Sequence, residues 1–195
     1  MNVLLLGPNR PELVDFLETY GEQVKYTEEK IPVDSDLFQK VEFIISYGYR
    51  HILKKEVLER FFKKAINIHI SLLPWNKGAD PNLWSFLENT PKGVTIHYLD
   101  PGIDTGDILV QEEVSFTPEE TLRTSYEKLS NIAENLLKKY WPDIREAKIQ
   151  PSVQPSGGSY HRLRDRQSYE HLLTQGWDTP VRNLIGKAIE EKTYE

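Results

Sequence analysis

Short apolar runs alternate with segments of helical spacing along this chain, and no other feature narrows its fold as far. The runs are Val3–Gly7, Gln23–Tyr26, Phe43–Ser46, Ala65–His69, Gly93–Leu99 and Ile108–Ser115. Between them, Pro11–Tyr20 carries apolar residues at 13, 16, 17 and 20, and Ile52–Lys64 sets Leu53, Val57, Leu58, Phe61 and Phe62 on one helical face. Pro81 suits the first turn of a short helix over Asn82–Glu88, where its missing N–H does no harm. The clearest helix begins at Thr117, with Thr117 as N-cap, Pro118 at N1 and Glu120 completing a capping box. Leu122, Tyr126, Leu129, Ala133, Leu136 and Tyr140 form one face of it, and Trp141-Pro142 ends it. Strands alternating with helices predict an α/β fold around a mainly parallel sheet.

Composition bounds what such a fold does. A chain of 195 residues fits one domain with room for an appendage, and 38% hydrophobic residues support an ordinary core. No apolar run approaches the roughly 20 residues of a membrane span, and the opening MNVLLLGPNR reads as a first strand rather than a signal peptide. The absence of cysteine removes disulfides, thiolate nucleophiles and thiolate metal sites, and suits the cytoplasm. A net charge of −6 argues against a nucleic-acid partner, which would be met by clustered positive charge. After Gln150 the composition shifts. Pro151–Gly158 is rich in proline, serine and glycine, Tyr160–Arg166 is basic, and Gln167–Gln175 and Pro180–Glu191 have the look of short helices. The expected division is a domain over 1–150 and a linker with a short helical tail over 151–195.

Chemistry concentrates between Asn67 and Gln111. Asn67 and His69 stand two apart at the end of an apolar run, so in a strand both project to the same face. A loop with two glycines follows, Pro101-Gly102-Ile103-Asp104-Thr105-Gly106, carrying a carboxylate. An amide donor for an oxyanion, an imidazole for protons and a carboxylate to orient the imidazole are what acyl transfer without a covalent enzyme intermediate needs. Asp100 and Asp107 compete for the carboxylate role, and His97, within the alternating GVTIHYL, reads as a structural residue on a sheet face.

The order Asn-x-His-x-Ser-Leu-Leu-Pro, Gly-Val-Thr-x-His and Asp-x-Gly-x-Ile resembles the folate-dependent formyltransferases, most strongly over Phe43–Glu113. That family includes glycinamide ribonucleotide transformylase, methionyl-tRNA formyltransferase and the sugar-nucleotide N-formyltransferases. The resemblance implies Asn67, His69 and Asp104 as the catalytic set and N10-formyltetrahydrofolate as cosubstrate, with no metal. It places the folate against Arg50, His51, Ile52 and Leu53, and against the backbone of Leu99, Asp100, Pro101, Gly102 and Ile103. The run Trp75-Asn76-Lys77-Gly78-Ala79-Asp80-Pro81-Asn82 looks like the enzymes that formylate nucleotide-linked amino sugars. An indole there packs on sugar faces while Asn76 and Lys77 supply donors, and His161, Arg162, Arg164 and Arg166 offer charge for a diphosphate or simply form a solvated turn.

Two departures matter. Ile70 stands where many members have proline, and Gly7-Pro8-Asn9-Arg10 is not the glycine-rich phosphate cradle of the purine-pathway enzyme, since Pro8 lacks an N–H. The methionyl-tRNA enzymes carry a second, basic domain for which no segment here is long enough. The reading is therefore a Rossmann-like α/β formyltransferase with a short helical tail. Its acceptor is the amine of a nucleotide-linked amino sugar destined for surface polysaccharide. Within the class, the alternative is glycinamide ribonucleotide. From another class, the alternative is a folate- or nucleotide-binding module without turnover. A homodimer is compatible with the chain, which is nearly silent on oligomeric state.

Overall fold

The computed structural model describes residues 1–192, so the last three residues of the expected tail fall outside the described residues. Six strands form one sheet in the order β2-β1-β3-β4-β6-β7. They are β1 (Asn2–Leu6), β2 (Gln23–Thr27), β3 (Phe43–Ser46), β4 (Ala65–His69), β6 (Gly93–Tyr98) and β7 (Ile108–Glu113). Two further short strands, β5 (Lys77–Gly78) and β8 (Tyr160–His161), pair in parallel by themselves. β1 pairs in parallel with β2 and β3, and β3 with β4. The mainly parallel, Rossmann-like α/β architecture expected from the alternation is what the chain adopts.

The burial pattern explains the sheet order. β3 and β6 are buried along their whole length, as strands covered on both faces must be. β2 lies at one edge, and its sequence QVKYT is largely exposed. By contact density the chain divides into two compact units. The first holds Met1–His69, Ile96–Val110 and Glu134–Val153, and the second holds Ile70–Thr95, Gln111–Ala133 and Gln154–Glu195. In the first, α1 (Pro11–Thr19) buries Leu13 and Leu17. Leu4, Leu6, Ile44 and Ala65 of the strands pack with Phe38 of α2 (Leu37–Lys40) and with Val57 and Phe61 of α3 (Lys55–Arg60) and its end. In the second, α4 (Pro81–Leu87) packs Leu83, Trp84, Phe86 and Leu87 against Leu122, Tyr169, Val181, Leu184 and Ala188.

Three helix boundaries depart from the sequence expectation. α3 covers only Lys55–Arg60, not Ile52–Lys64, and Phe62 is 73% exposed although periodicity counts it on the apolar face. The long helix α5 starts at Leu122, not after Thr117. Thr121 takes over the capping, since its Oγ1 accepts from the Thr124 N–H at 3.2 Å and its own N–H donates to Thr124 Oγ1 at 2.9 Å. α5 also runs through Pro142 to Arg145, where Trp141 and Ile144 are buried. Burial of that last turn outweighs the hydrogen bond a proline forfeits. The tail is built mostly of 3₁₀ turns, from Leu163–Leu172 to Val181–Asn183, before α6 (Lys187–Lys192).

Candidate active site

The four polar groups of interest lie within the first unit, around the end of β4. Ile66 and Ile68 point into the core, so Asn67 and His69 share the other side of the strand. Asp104 comes from the loop after β6, where it adopts φ 53°, a left-handed conformation that asparagine and aspartate tolerate better than other side chains. Asp100 shapes that loop, since its Oδ1 accepts from the Thr105 hydroxyl at 2.7 Å and from the Gly102 N–H at 3.2 Å. Gly106 lets the loop close, because a Cβ there would stand 1.9 Å from the Tyr98 carbonyl oxygen.

The result is a compact cluster. Asn67 Nδ2 donates to Asp104 Oδ1 at 2.9 Å. His69 Nδ1 lies 3.7 Å from Asp104 Oδ2, beyond direct hydrogen-bond reach for that pair of atoms. His69 and Asp104 are about nine-tenths buried. His97, read from the sequence as a face residue, belongs to the cluster, with its Nε2 3.4 Å from Asp104 Oδ1 and 3.3 Å from Asn67 Nδ2. His97 Nδ1 sits 2.8 Å from the Tyr98 carbonyl and therefore carries the proton. In the neutral ring Nε2 is then the acceptor in its contact with Asn67 Nδ2, and in the charged ring it donates to Asp104 instead. Alternation along β6 gave no sign of this, because the contact exists only once the 100–107 loop has folded back.

A cavity of about 310 Å³ opens in the same unit, lined by Lys55, Leu58, Glu59, Phe62 and Lys63 on one side and by Tyr98–Pro101 and Thr105–Asp107 on the other. Its size falls in the range of small-molecule sites. Of the residues expected to hold folate, Leu99, Asp100 and Pro101 line it, while Gly102 and Ile103 do not. Arg50, His51 and Ile52 are exposed ahead of α3, and Leu53 packs on the hydrophobic cluster. The helix start expected at that segment lies instead at Lys55. Phe62, which helical spacing counts on the apolar face, is exposed and lines this cavity instead. Tyr98 is pushed above the ordinary tyrosine range by burial.

In the second unit, Trp75 remains 36% exposed, and Lys77 and Gly78 form β5. Asn76 is buried completely, its Oδ1 accepting from Thr90 Oγ1 at 2.8 Å and its Nδ2 facing Ser159 Oγ at 3.3 Å, so its amide holds the loop rather than facing outward. Ser71, also buried, donates to the Trp75 carbonyl at 2.7 Å. Of the cationic stretch, His161 is buried and Arg166 is held 3.3 Å from Asp80. Among the described residues no group of three or more His, Asp or Glu is arranged to hold a metal ion, and no helix is long and apolar enough to cross a membrane.

The crystal structure of the formyltransferase PseJ from Anoxybacillus kamchatkensis, solved with UDP-4,6-dideoxy-4-formamido-L-AltNAc and tetrahydrofolate, is 57% identical. It matches 96% of this chain and 100% of its own with a TM-score of 0.95. A 4-N formyltransferase from Francisella tularensis is 26% identical, with a TM-score of 0.74 over 86% of this chain and 78% of that one. Among curated relatives, methionyl-tRNA formyltransferase of Syntrophus aciditrophicus is 40% identical over 111 residues, which is 55% of this chain and 36% of that protein. The chain spans about a third to just over a half of the curated relatives it matches. A family model for formyl transferases covers residues 19–140, the stretch that carries Asn67, His69, His97 and Asp104, and with it the chain belongs to the formyl transferase family.

Proposed function

We propose that this protein transfers the formyl group of N10-formyltetrahydrofolate to the amine of a nucleotide-linked amino sugar, in the cytoplasm and without a covalent enzyme intermediate. The observation that carries the reading is an Asn67–His69–Asp104 cluster in a chain 57% identical, over 96% of its length, to an enzyme solved with a UDP-linked 4-formamido sugar and tetrahydrofolate. On that basis the acceptor is the 4-amine of a UDP-linked 4-amino-4,6-dideoxy sugar. The curated methionyl-tRNA relatives favour a different acceptor, but a net charge of −6 suits a large polyanion poorly.

The geometry supports the following roles. The folate is assigned to the 50–53 and 99–103 segments, of which Leu99, Asp100 and Pro101 line the cavity beside α3. The neutral acceptor amine attacks the formyl carbon. Asn67 turns one N–H from its present acceptors to the developing oxyanion, and His69 donates a second hydrogen bond. His69, protonated, gives its proton to N10 as the C–N10 bond breaks and then takes up the proton lost by the attacking amine, leaving a formamide and tetrahydrofolate. Asp104 keeps the imidazole oriented and stabilises its charged form across 3.7 Å. Trp75, Lys77 and Gly78 receive the sugar nucleotide, and Asn76 serves them from beneath.

The test is incubation of the purified protein with N10-formyltetrahydrofolate and, in turn, a UDP-linked 4-amino-4,6-dideoxy sugar, glycinamide ribonucleotide and methionyl-tRNA. Only the sugar nucleotide should gain one formyl group by mass. Formylation of either other acceptor in preference to the sugar would overturn the assignment.

A further inference from the structure

The loop that follows β4 is held in a conformation it would not keep alone. Within five residues, Asn76, Gly78 and Asp80 have φ of 55°, 87° and 51°. Two of these are non-glycine residues, each left-handed at a cost on the order of 1 kcal/mol, so such a loop persists only where its surroundings over-determine it. The surroundings come from far along the chain but within the same compact unit. The Asn76 N–H donates to Ser159 Oγ at 3.0 Å, and Asn76 Nδ2 donates to the same oxygen at 3.3 Å. The Lys77 N–H donates to the Ser159 carbonyl at 2.9 Å and the Ala79 N–H to the His161 carbonyl at 2.9 Å. The two backbones approach so closely that a Cβ on Gly78 would stand 2.2 Å from the His161 oxygen, and one on Gly158 would stand 2.0 Å from the Pro74 oxygen.

The clamping segment is itself anchored. The His161 ring lies flat on Trp84 with centroids 3.7 Å apart and planes 4° apart, and its Nε2 sits 3.1 Å from Glu88 Oε2. Arg166 closes the far end on Asp80 at 3.3 Å. From the second side, the Thr90 hydroxyl donates to Asn76 Oδ1 at 2.8 Å. Asn76 is therefore gripped from both directions, with the exposed Trp75 and the half-buried Lys77 as its immediate neighbours.

From this arrangement we infer that Ser159, with the His161 backbone, is a positioning residue for the acceptor: the tail pre-sets the Trp75–Gly78 loop in its sugar-binding conformation. This rests on the reading that the loop receives the sugar nucleotide. The gain is pre-organisation, because a loop fixed before the ligand arrives loses less freedom on binding. Ser159 touches no reacting atom and acts only through Asn76. Its loss falls on the affinity for the sugar nucleotide and leaves turnover and folate affinity in place.

The experiment compares Ser159→Ala, Ser159→Thr and Trp75→Ala in the full chain, with the Michaelis constant of each substrate and kcat measured separately. A buried donor deprived of its acceptor costs an amount that corresponds to roughly five- to 150-fold in affinity. Ser159→Ala should raise the sugar-nucleotide KM by about tenfold, with kcat and the folate KM within about twofold, and Ser159→Thr, which keeps the hydroxyl, should restore it. If Trp75→Ala raises the sugar KM and Ser159→Ala does not, the clamp is refuted while the acceptor assignment stands. If both leave it unchanged, the acceptor assignment fails and the clamp with it. If Ser159→Ala weakens both substrates and kcat in parallel, the tail is merely structural and the positioning role is refuted.

Discussion

Replacing Asp104 with asparagine isolates the carboxylate's contribution. The backbone there has φ 53°, so alanine would add conformational strain of roughly 1 kcal/mol to whatever chemistry it removed, whereas asparagine tolerates the left-handed region. The parent carboxylate accepts the Asn67 amide at 2.9 Å and faces His69 at 3.7 Å and His97 at 3.4 Å. Removing its charge weakens a charge-assisted hydrogen bond worth about 1.5–3 kcal/mol and the field that favours a charged His69. An interaction of about 4 kcal/mol at that separation in a site of intermediate dielectric sets the upper scale. Part of each survives through the amide, so the expected net loss is about 3–4 kcal/mol of transition-state stabilisation, or on the order of 10²–10³ in kcat/KM. The assay is steady-state release of tetrahydrofolate, with melting temperature recorded beside it. A stable Asp104→Asn protein whose kcat/KM stays within about threefold of the parent would refute the reasoning.

Three further outcomes follow from the structure. Trp75→Ala and Lys77→Ala should raise the KM for the sugar nucleotide and leave that for the folate, as separate saturation curves will register. Lys92 donates to the Thr90 carbonyl at 2.8 Å, and burial lowers its amine to a pKa of about 8. The native state releases this proton before the unfolded chain does, so the group's contribution to stability rises from pH 8 towards 10.5 and is lowest below 8. Competitive acylation read by mass spectrometry should show Lys92 half-reactive near pH 8, and a midpoint with the exposed lysines would contradict it. Glu22, buried at 4% exposure, accepts from Trp141 Nε1 at 3.2 Å and pairs with Arg145 at 3.2 Å. Glu22→Ala should cost about 3 kcal/mol and lower the melting temperature by roughly 6–12 °C, measured by calorimetry.

Much of the fold was legible because apolar runs with polar edges define strands locally. β3 and β4 begin and end at the residues the runs suggest. Helix ends were less legible, because tertiary partners decide them. Thr117-Pro118-Glu119-Glu120 has the local form of a helix start, yet the Val181 N–H donates to the Glu120 carbonyl and Thr121 bridges Pro180, which moves the start to Leu122. In the candidate site, Asn67 and His69 could be paired by strand periodicity alone, and Asp104 by its motif. His97 could not, since its contact with Asp104 depends on the folded 100–107 loop. Asn76 was misread for a similar reason. Nothing near it in sequence announces that Ser159 returns to take its N–H.

Direct transfer between two bound substrates is the central claim, and initial-rate kinetics with both substrates varied test it most directly. Ser71, the hydroxyl nearest the Asn-x-His motif in sequence, is buried and bonded to the Trp75 carbonyl, and no cysteine is present to carry a formyl group. Reciprocal plots should intersect, and the protein mass should be unchanged after incubation with N10-formyltetrahydrofolate alone. Parallel lines, or a protein heavier by one formyl group, would contradict the account.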